Sequence, residues 1–133
     1  MGYAVKDALL KVTKALPAAA GSVYTSGIAL GGGDFLADAE FKVSAPALTT
    51  TQLPDTKTMT YTVQHDDDPA FGSPTTLLGT VIVQTGSGGA GAAVATFTFR
   101  APVDVKKNIR LQTTGGAAIG DCSGASATLE ALF

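Results

Sequence analysis

From residue 58 to residue 112 the chain repeatedly alternates apolar and polar side chains with a period of two. Met59, Tyr61, Val63 and His65 fall on one face of an extended segment, and Thr58, Thr60, Thr62 and Gln64 fall on the other. Successive side chains of a β-strand point to opposite faces, so this pattern marks a strand with one buried and one wet side. The period returns where Ala95, Phe97 and Phe99 alternate with Thr96, Thr98 and Arg100, and where Ile109 and Leu111 alternate with Asn108, Arg110 and Gln112. The first segment stops at Asp66-Asp67-Asp68-Pro69, because adjacent like charges and a proline do not continue a ladder. A chain patterned in this way is confined to an all-β design.

Strand-like segments are predicted at residues 23–30, 39–43, 58–65, 77–85, 93–100, 108–114 and 126–133. Turn formers separate them: Gly31-Gly32-Gly33-Asp34, Pro54-Asp55, Asp68-Pro69, the glycine-rich residues 86–91, and Gly115-Gly116. Seven or eight short strands with such connections fit a jelly-roll-like β-sandwich better than an α/β fold. Residues 45–58, rich in Thr and Pro, read as a long surface loop. Residues 1–17 form an N-terminal leader ahead of a single sandwich domain over residues 18–133. Val5, Leu9, Val12 and Leu16 stand at helical spacing with Lys6, Lys11 and Lys14 elsewhere, so the leader is either a short amphipathic helix or an extended arm.

A 133-residue chain buries roughly 68% of its unfolded surface, enough for one domain without disulfides or metal. Much of its 45% apolar content is alanine, and 16 residues are glycine, so the core is expected to be thin. A thin core predicts that subunits share apolar surface, and hence an oligomer. Charged residues are only 15% of the total and the net charge is −2, which argues against nucleic acid as a partner, since phosphate binding needs clustered Lys and Arg. One cysteine, Cys122, and one histidine, His65, leave neither an internal disulfide nor a Cys/His zinc site. No apolar run approaches the ~20 residues of a membrane helix, and the N-terminus lacks the apolar core of a signal peptide. The expectation is a protein made in a reducing cytoplasm, with no membrane partner and no cofactor.

Three motifs invite a chemical reading. Gly86-Ser87-Gly88-Gly89-Ala90-Gly91 satisfies G-x-G-x-x-G, but a dinucleotide site needs a helix next, and the following residues alternate as a strand. A glycine hairpin tip is predicted instead. Gly120-Asp121-Cys122-Ser123-Gly124 resembles a serine-protease nucleophile loop with its residues in the wrong order, and His65 is the only candidate base. It reads as a turn before the last strand, with Cys122 a small spacer. His65-Asp66-Asp67-Asp68 carries oxygen for a hard cation, yet three adjacent aspartates diverge, so a solvated acidic loop is predicted. None of these supports an enzyme.

The run Tyr61-Thr62-Val63-Gln64-His65-Asp66-Asp67-Asp68-Pro69-Ala70-Phe71-Gly72-Ser73-Pro74 resembles the capsid cement, or decoration, proteins of tailed bacteriophages, in which a strand ends in an acidic D-D-x-x-F turn. Phe99-Arg100-Ala101-Pro102-Val103-Asp104, then Ile109-Arg110-Leu111, and finally Ala125-Ser126-Ala127-Thr128-Leu129-Glu130 are similar to the same family's continuation. The resemblance implies a jelly-roll protomer, assembled as a homotrimer on the outer capsid surface of the virion, bridging neighbouring major capsid proteins. Contacts with the capsid are expected at Tyr3, Lys6, Lys11 and Lys14 of the leader and at Asp66, Asp67 and Asp68 of the acidic turn. The rival expectation is a carbohydrate-binding jelly roll on a virion or cell surface; few aromatics and no tryptophan weaken it.

Overall fold

The computed structural model describes residues 11–30, 40–102 and 104–132; Tyr3, Lys6 and the Gly31-Gly32-Gly33-Asp34 separator lie outside them. Among the described residues there are nine strands and no helix: β1 (Lys11–Ala15), β2 (Gly21–Tyr24), β3 (Ile28–Ala29), β4 (Glu40–Ala45), β5 (Thr58–Asp66), β6 (Thr75–Thr85), β7 (Ala95–Arg100), β8 (Asn108–Gly115) and β9 (Ser126–Leu132). They form two antiparallel sheets, ordered β1-β9-β4-β7 and β2-β8-β5-β6, with the two-residue β3 also pairing with β8.

The pairing is nested. β1 pairs with β9, β2 with β8, β4 with β7 and β5 with β6, as in one long antiparallel hairpin. Rolling that hairpin up brings β9 against β4 and β8 against β5, which closes two sheets from one strip. This is the jelly roll expected from the strand pattern.

Alternation in β5 is realised as read: Met59, Tyr61 and Val63 are fully buried and His65 nearly so, while Thr58, Thr60, Thr62 and Gln64 are only half-buried. Ile109 and Leu111 of β8 continue the inner face of the second sheet. Phe41 and Val43 of β4 and Ala127 and Leu129 of β9 supply that of the first, with the Phe41 ring stacked on Phe99 at 5.5 Å between centroids. Alanine fills several core positions (Ala45, Ala101, Ala127, Ala131), as a thin core requires.

Elsewhere the structure departs from the sequence pattern for identifiable reasons. Residues 11–15, in the leader, form an edge strand on β9 instead of a helix; Val12 packs on the core and Leu16 is buried. Segment 23–30 is broken between β2 and β3 because Thr25 replaces the ladder: its N–H donates to the Leu111 carbonyl, and its Oγ1 accepts the Leu111 N–H at 3.0 Å.

The strand predicted at 77–85 starts at Thr75 and bulges. From the Tyr61↔Ile82 pair to the Val63↔Leu78 pair, β5 advances two residues and β6 four. Such bulges spoil a simple alternation. The glycine stretch is not a hairpin, since β6 and β7 belong to different sheets; it is a crossover, needed because the roll turns over at that point. Gly88, Gly89 and Gly91 all have positive φ, and a Cβ on Gly91 would lie 2.0 Å from the Leu48 carbonyl oxygen.

The 45–58 loop is not merely superficial, because Leu48 and Leu53 are buried beneath it. Its first turn is a capping box. Gln52 N–H donates to Thr49 Oγ1, and Thr49 N–H donates to Gln52 Oε1.

Candidate functional site

The acidic turn is built from its carboxylates inward. Asp66 Oδ1 accepts the Asp68 N–H and Oδ2 accepts the Ser73 N–H, both at 3.0 Å. Asp68 accepts the N–H groups of Ala70 and Gly72, and Asp67 accepts that of Lys107. Asn108 closes the turn by donating its side-chain amide to the carbonyls of Asp66 and Asp67. The backbone amide of Asp68 is the main reason that the Asp66 carboxyl sits below its usual range. These oxygens organise the chain between β5 and β6, and Asp67 and Asp68 remain exposed at its surface. Among the described residues no cluster of His, Cys, Asp or Glu could hold a metal ion.

The other chemistry-bearing groups are likewise engaged locally. His65 Nδ1 accepts the Lys106 N–H at 3.1 Å, so the neutral ring carries its proton on Nε2. Burial first, and the Lys106 charge second, push its pKa down. Ser123 Oγ donates to Asp121 Oδ1 at 2.6 Å within one turn, which lowers the Asp121 pKa. Cys122 is buried with its thiol directed at the Gln52 carbonyl, and burial raises its pKa. Burial of this kind disfavours the thiolate, the form in which a cysteine attacks.

Lys11 and Lys14 of the leader and the acidic turn are not brought together, while Tyr3 and Lys6 lie outside the described residues. Lys11 and Lys14 are exposed on β1, an edge of the first sheet, whereas Asp66 ends the inner strand β5 of the second and Asp67 and Asp68 follow it.

Sequence reasoning missed two surfaces. The first runs along the flank where the edge strands β6 and β7 lie across from one another. Val83 is 55% exposed on β6 and Val94, just before β7, is 64% exposed; Phe97 on β7 is 37% exposed and stacks on Phe99. Buried Gln84 holds the flank closed by donating to the carbonyls of Pro46 at 2.7 Å and Ala93 at 3.0 Å, which sets Val83 and Val94 beside bonded neighbours. Val83 faces outward by alternation with buried Ile82 and Gln84, in regular register with Thr60, but the apolar run Val81-Ile82-Val83 hid that period in the sequence.

The second surface is the outer face of the second sheet, a field of neutral polar groups: Ser22, Thr60, Thr62, Gln64, Gln112 and Thr114. At its end the Arg110 guanidinium lies 4.1 Å from the Tyr24 ring centroid and 4.4 Å from that of Phe71. Its Nε–H donates to Gln64 Oε1 at 2.8 Å. Phe71 reaches this position from a backbone with φ of 54°, and a Cβ on Gly27 would come within 2.6 Å of its ring. The D-x-x-F spacing was visible in the sequence, but its phenylalanine gave no sign of Arg110 as partner.

No protein-family model matches the chain, and no curated protein matches it. A solved structure described as "CBM4 structure and function" aligns over 82% of this chain and 66% of its own, with 14% identity and a TM-score of 0.34. The chain thus spans just under two thirds of that neighbour's length, and a likeness at that score carries no argument about function.

Proposed function

We propose that the protein is a structural capsid-decoration protein that binds the outer surface of a mature tailed-phage head as a homotrimer and bridges neighbouring major capsid proteins. The observation that carries this reading is the apolar flank of β6 and β7, where Val83, Val94 and Phe97 stand exposed on two adjoining sheet edges. Unpaired edges with apolar side chains favour association with other protein, and a partner or a second subunit covering them removes that surface from water. The resemblance of residues 61–74 to phage cement proteins supports the choice of partner. A protein that binds only the expanded lattice stabilises it by mass action, and three linked contacts per trimer make attachment hard to reverse.

Sedimentation of purified protein with mature heads lacking decoration tests the reading. Saturable co-sedimentation and a raised disruption temperature of the heads are expected; a protein that stays in the supernatant contradicts the proposal. The carbohydrate reading separates on a glycan array. Tyr24 is the exposed ring on the hydroxyl-rich face, and the Arg110 guanidinium already lies over it, so binding to protein is the better-supported use of that surface.

A further inference from the structure

We infer that Arg110, Tyr24, Phe71 and Gln64 form a carboxylate clamp on the outer face of the second sheet, and that its occupant is a single aspartate or glutamate side chain of the partner protein. The identity of the partner rests on the capsid-binding reading above.

The clamp is preorganised. The guanidinium lies over two rings and is tied at Nε to Gln64, its cross-strand neighbour, so its plane is fixed before any ligand arrives. Among the described residues, that bond to Gln64 is the guanidinium's one hydrogen bond to the protein. With respect to the described residues the two terminal NH2 groups keep their donors, in the planar fork that matches a carboxylate with two parallel hydrogen bonds. The Asp66 carboxylate, whose charge reaches Arg110, is turned onto the backbone amides of Asp68 and Ser73. The rings belong to separate elements. Tyr24 ends β2, with its hydroxyl met by the Gln112 side chain, and Phe71 is placed by the acidic turn in a left-handed backbone that only surrounding contacts sustain. Three chain segments therefore converge on one cation.

Charge decides the kind of occupant. Among the described residues of β2, β5 and β8, the other polar side chains on this outer face carry hydroxyls and amides. A polyanion such as nucleic acid or a polyuronate brings a row of charges that such a face would leave unpaired. One carboxylate set among neutral polar groups, as on a protein surface, is matched by one fixed guanidinium among neutral polar groups.

The test uses the isotope-labelled full chain and two blocked pentapeptides, one with a central glutamate flanked by serine and glycine, the other with glutamine in its place. At millimolar concentration, the range for one ion-paired contact, the glutamate peptide is expected to shift the Arg110 Nε–H and Tyr24 ring resonances, and the glutamine peptide is not. Arg110→Lys, which keeps the charge and loses the fork, should abolish most of that shift and weaken attachment to heads about tenfold. Equal responses to both peptides, no response to either, or a stronger response to free galacturonate overturn the proposal. So does an unaltered head affinity for a folded Arg110→Lys protein when the parent binds. If the parent itself fails to bind heads, the capsid reading falls, and the peptide comparison still judges the clamp.

Discussion

The Tyr61 phenol donates a 2.6 Å hydrogen bond to Gln84 Oε1 in the interior, where Tyr61 is fully buried and Gln84 nearly so. Gln84 then spends both amide hydrogens on the carbonyls of Pro46 and Ala93, which flank strands of the opposite sheet. One buried side chain thus joins the two layers. Burial also raises the phenol's pKa far enough that it stays a donor across the working range of the protein. Tyr61→Phe is expected to lose about 1–2 kcal/mol by leaving Gln84 Oε1 without its donor, and Gln84→Ala about 3 kcal/mol by orphaning three groups. Urea unfolding gives both values; a smaller loss for Gln84→Ala than for Tyr61→Phe would refute the bridging role.

His65 makes stability depend on pH in a stated direction. Its pKa is lowered from 6.5 by burial and by Lys106, so the unfolded chain takes up the proton before the folded one does. The stabilisation is present above pH 6.5 and declines as pH falls below that value towards the folded pKa. Because this is the chain's only histidine, His65→Asn, which retains an acceptor for the Lys106 N–H, should flatten the melting temperature between about pH 7 and pH 5. An identical slope in parent and variant would exclude His65 as the source.

The acidic turn behaves as architecture. Asp66→Ala removes the acceptor of two backbone N–H groups and is expected to lower the midpoint of thermal or urea unfolding. Since the aspartate oxygens are already occupied by amides, millimolar calcium should leave the parent's melting midpoint where it is. A clear calcium-dependent rise would show that the loop is an ion site.

The exposed flank can be tested without touching the core. Val83→Asp with Val94→Asp places charge where both side chains are more than half exposed, so the fold should melt within a degree or two of the parent. Light scattering at micromolar concentration should then report a smaller species than the parent, and co-sedimentation with heads should fall at least tenfold. Unchanged size and attachment would remove the flank from the interface.

Thr113 offers a gain. It is 1% exposed, and its Oγ1 has no hydrogen-bond partner among the described residues, so Thr113→Val replaces an unsatisfied hydroxyl by a methyl of similar volume. A stabilisation of about 1 kcal/mol is expected in urea titration, and a loss would show that the hydroxyl is satisfied in solution.

The architecture was largely legible because inner strands such as β5 and β8 have one face in the core and one in water, which writes a period of two into the sequence. Edge strands wrote less. β6 bulges, and the leader read equally as helix or extended arm because Val5, Leu9, Val12 and Leu16 share a helical spacing, a choice that the pairing of β1 with β9 decides for residues 11–15. The break at Thr25 depends on a side chain replacing a ladder bond, a choice settled by β8 arriving from 86 residues downstream. At the site, the aspartates were conspicuous as charges, but their partners are backbone amides, which leave no trace in residue identity. Arg110 looked like one more outward polar residue, and only the fold brings Tyr24 and Phe71 to it.

The placement of β9 between β1 and β4 has a consequence for biosynthesis. Neither of those strands touches the other, so the first sheet has no continuous ladder until residues 126–132 are available. Until residues 126–132 have been made, β1 and β4 each lack the neighbour between them, so a strand made early is locked in place by one made much later. Such long-range closure slows folding, so a nascent chain paused before Ser126 should be protease-sensitive over β1 and become resistant once residues 126–132 have left the ribosome.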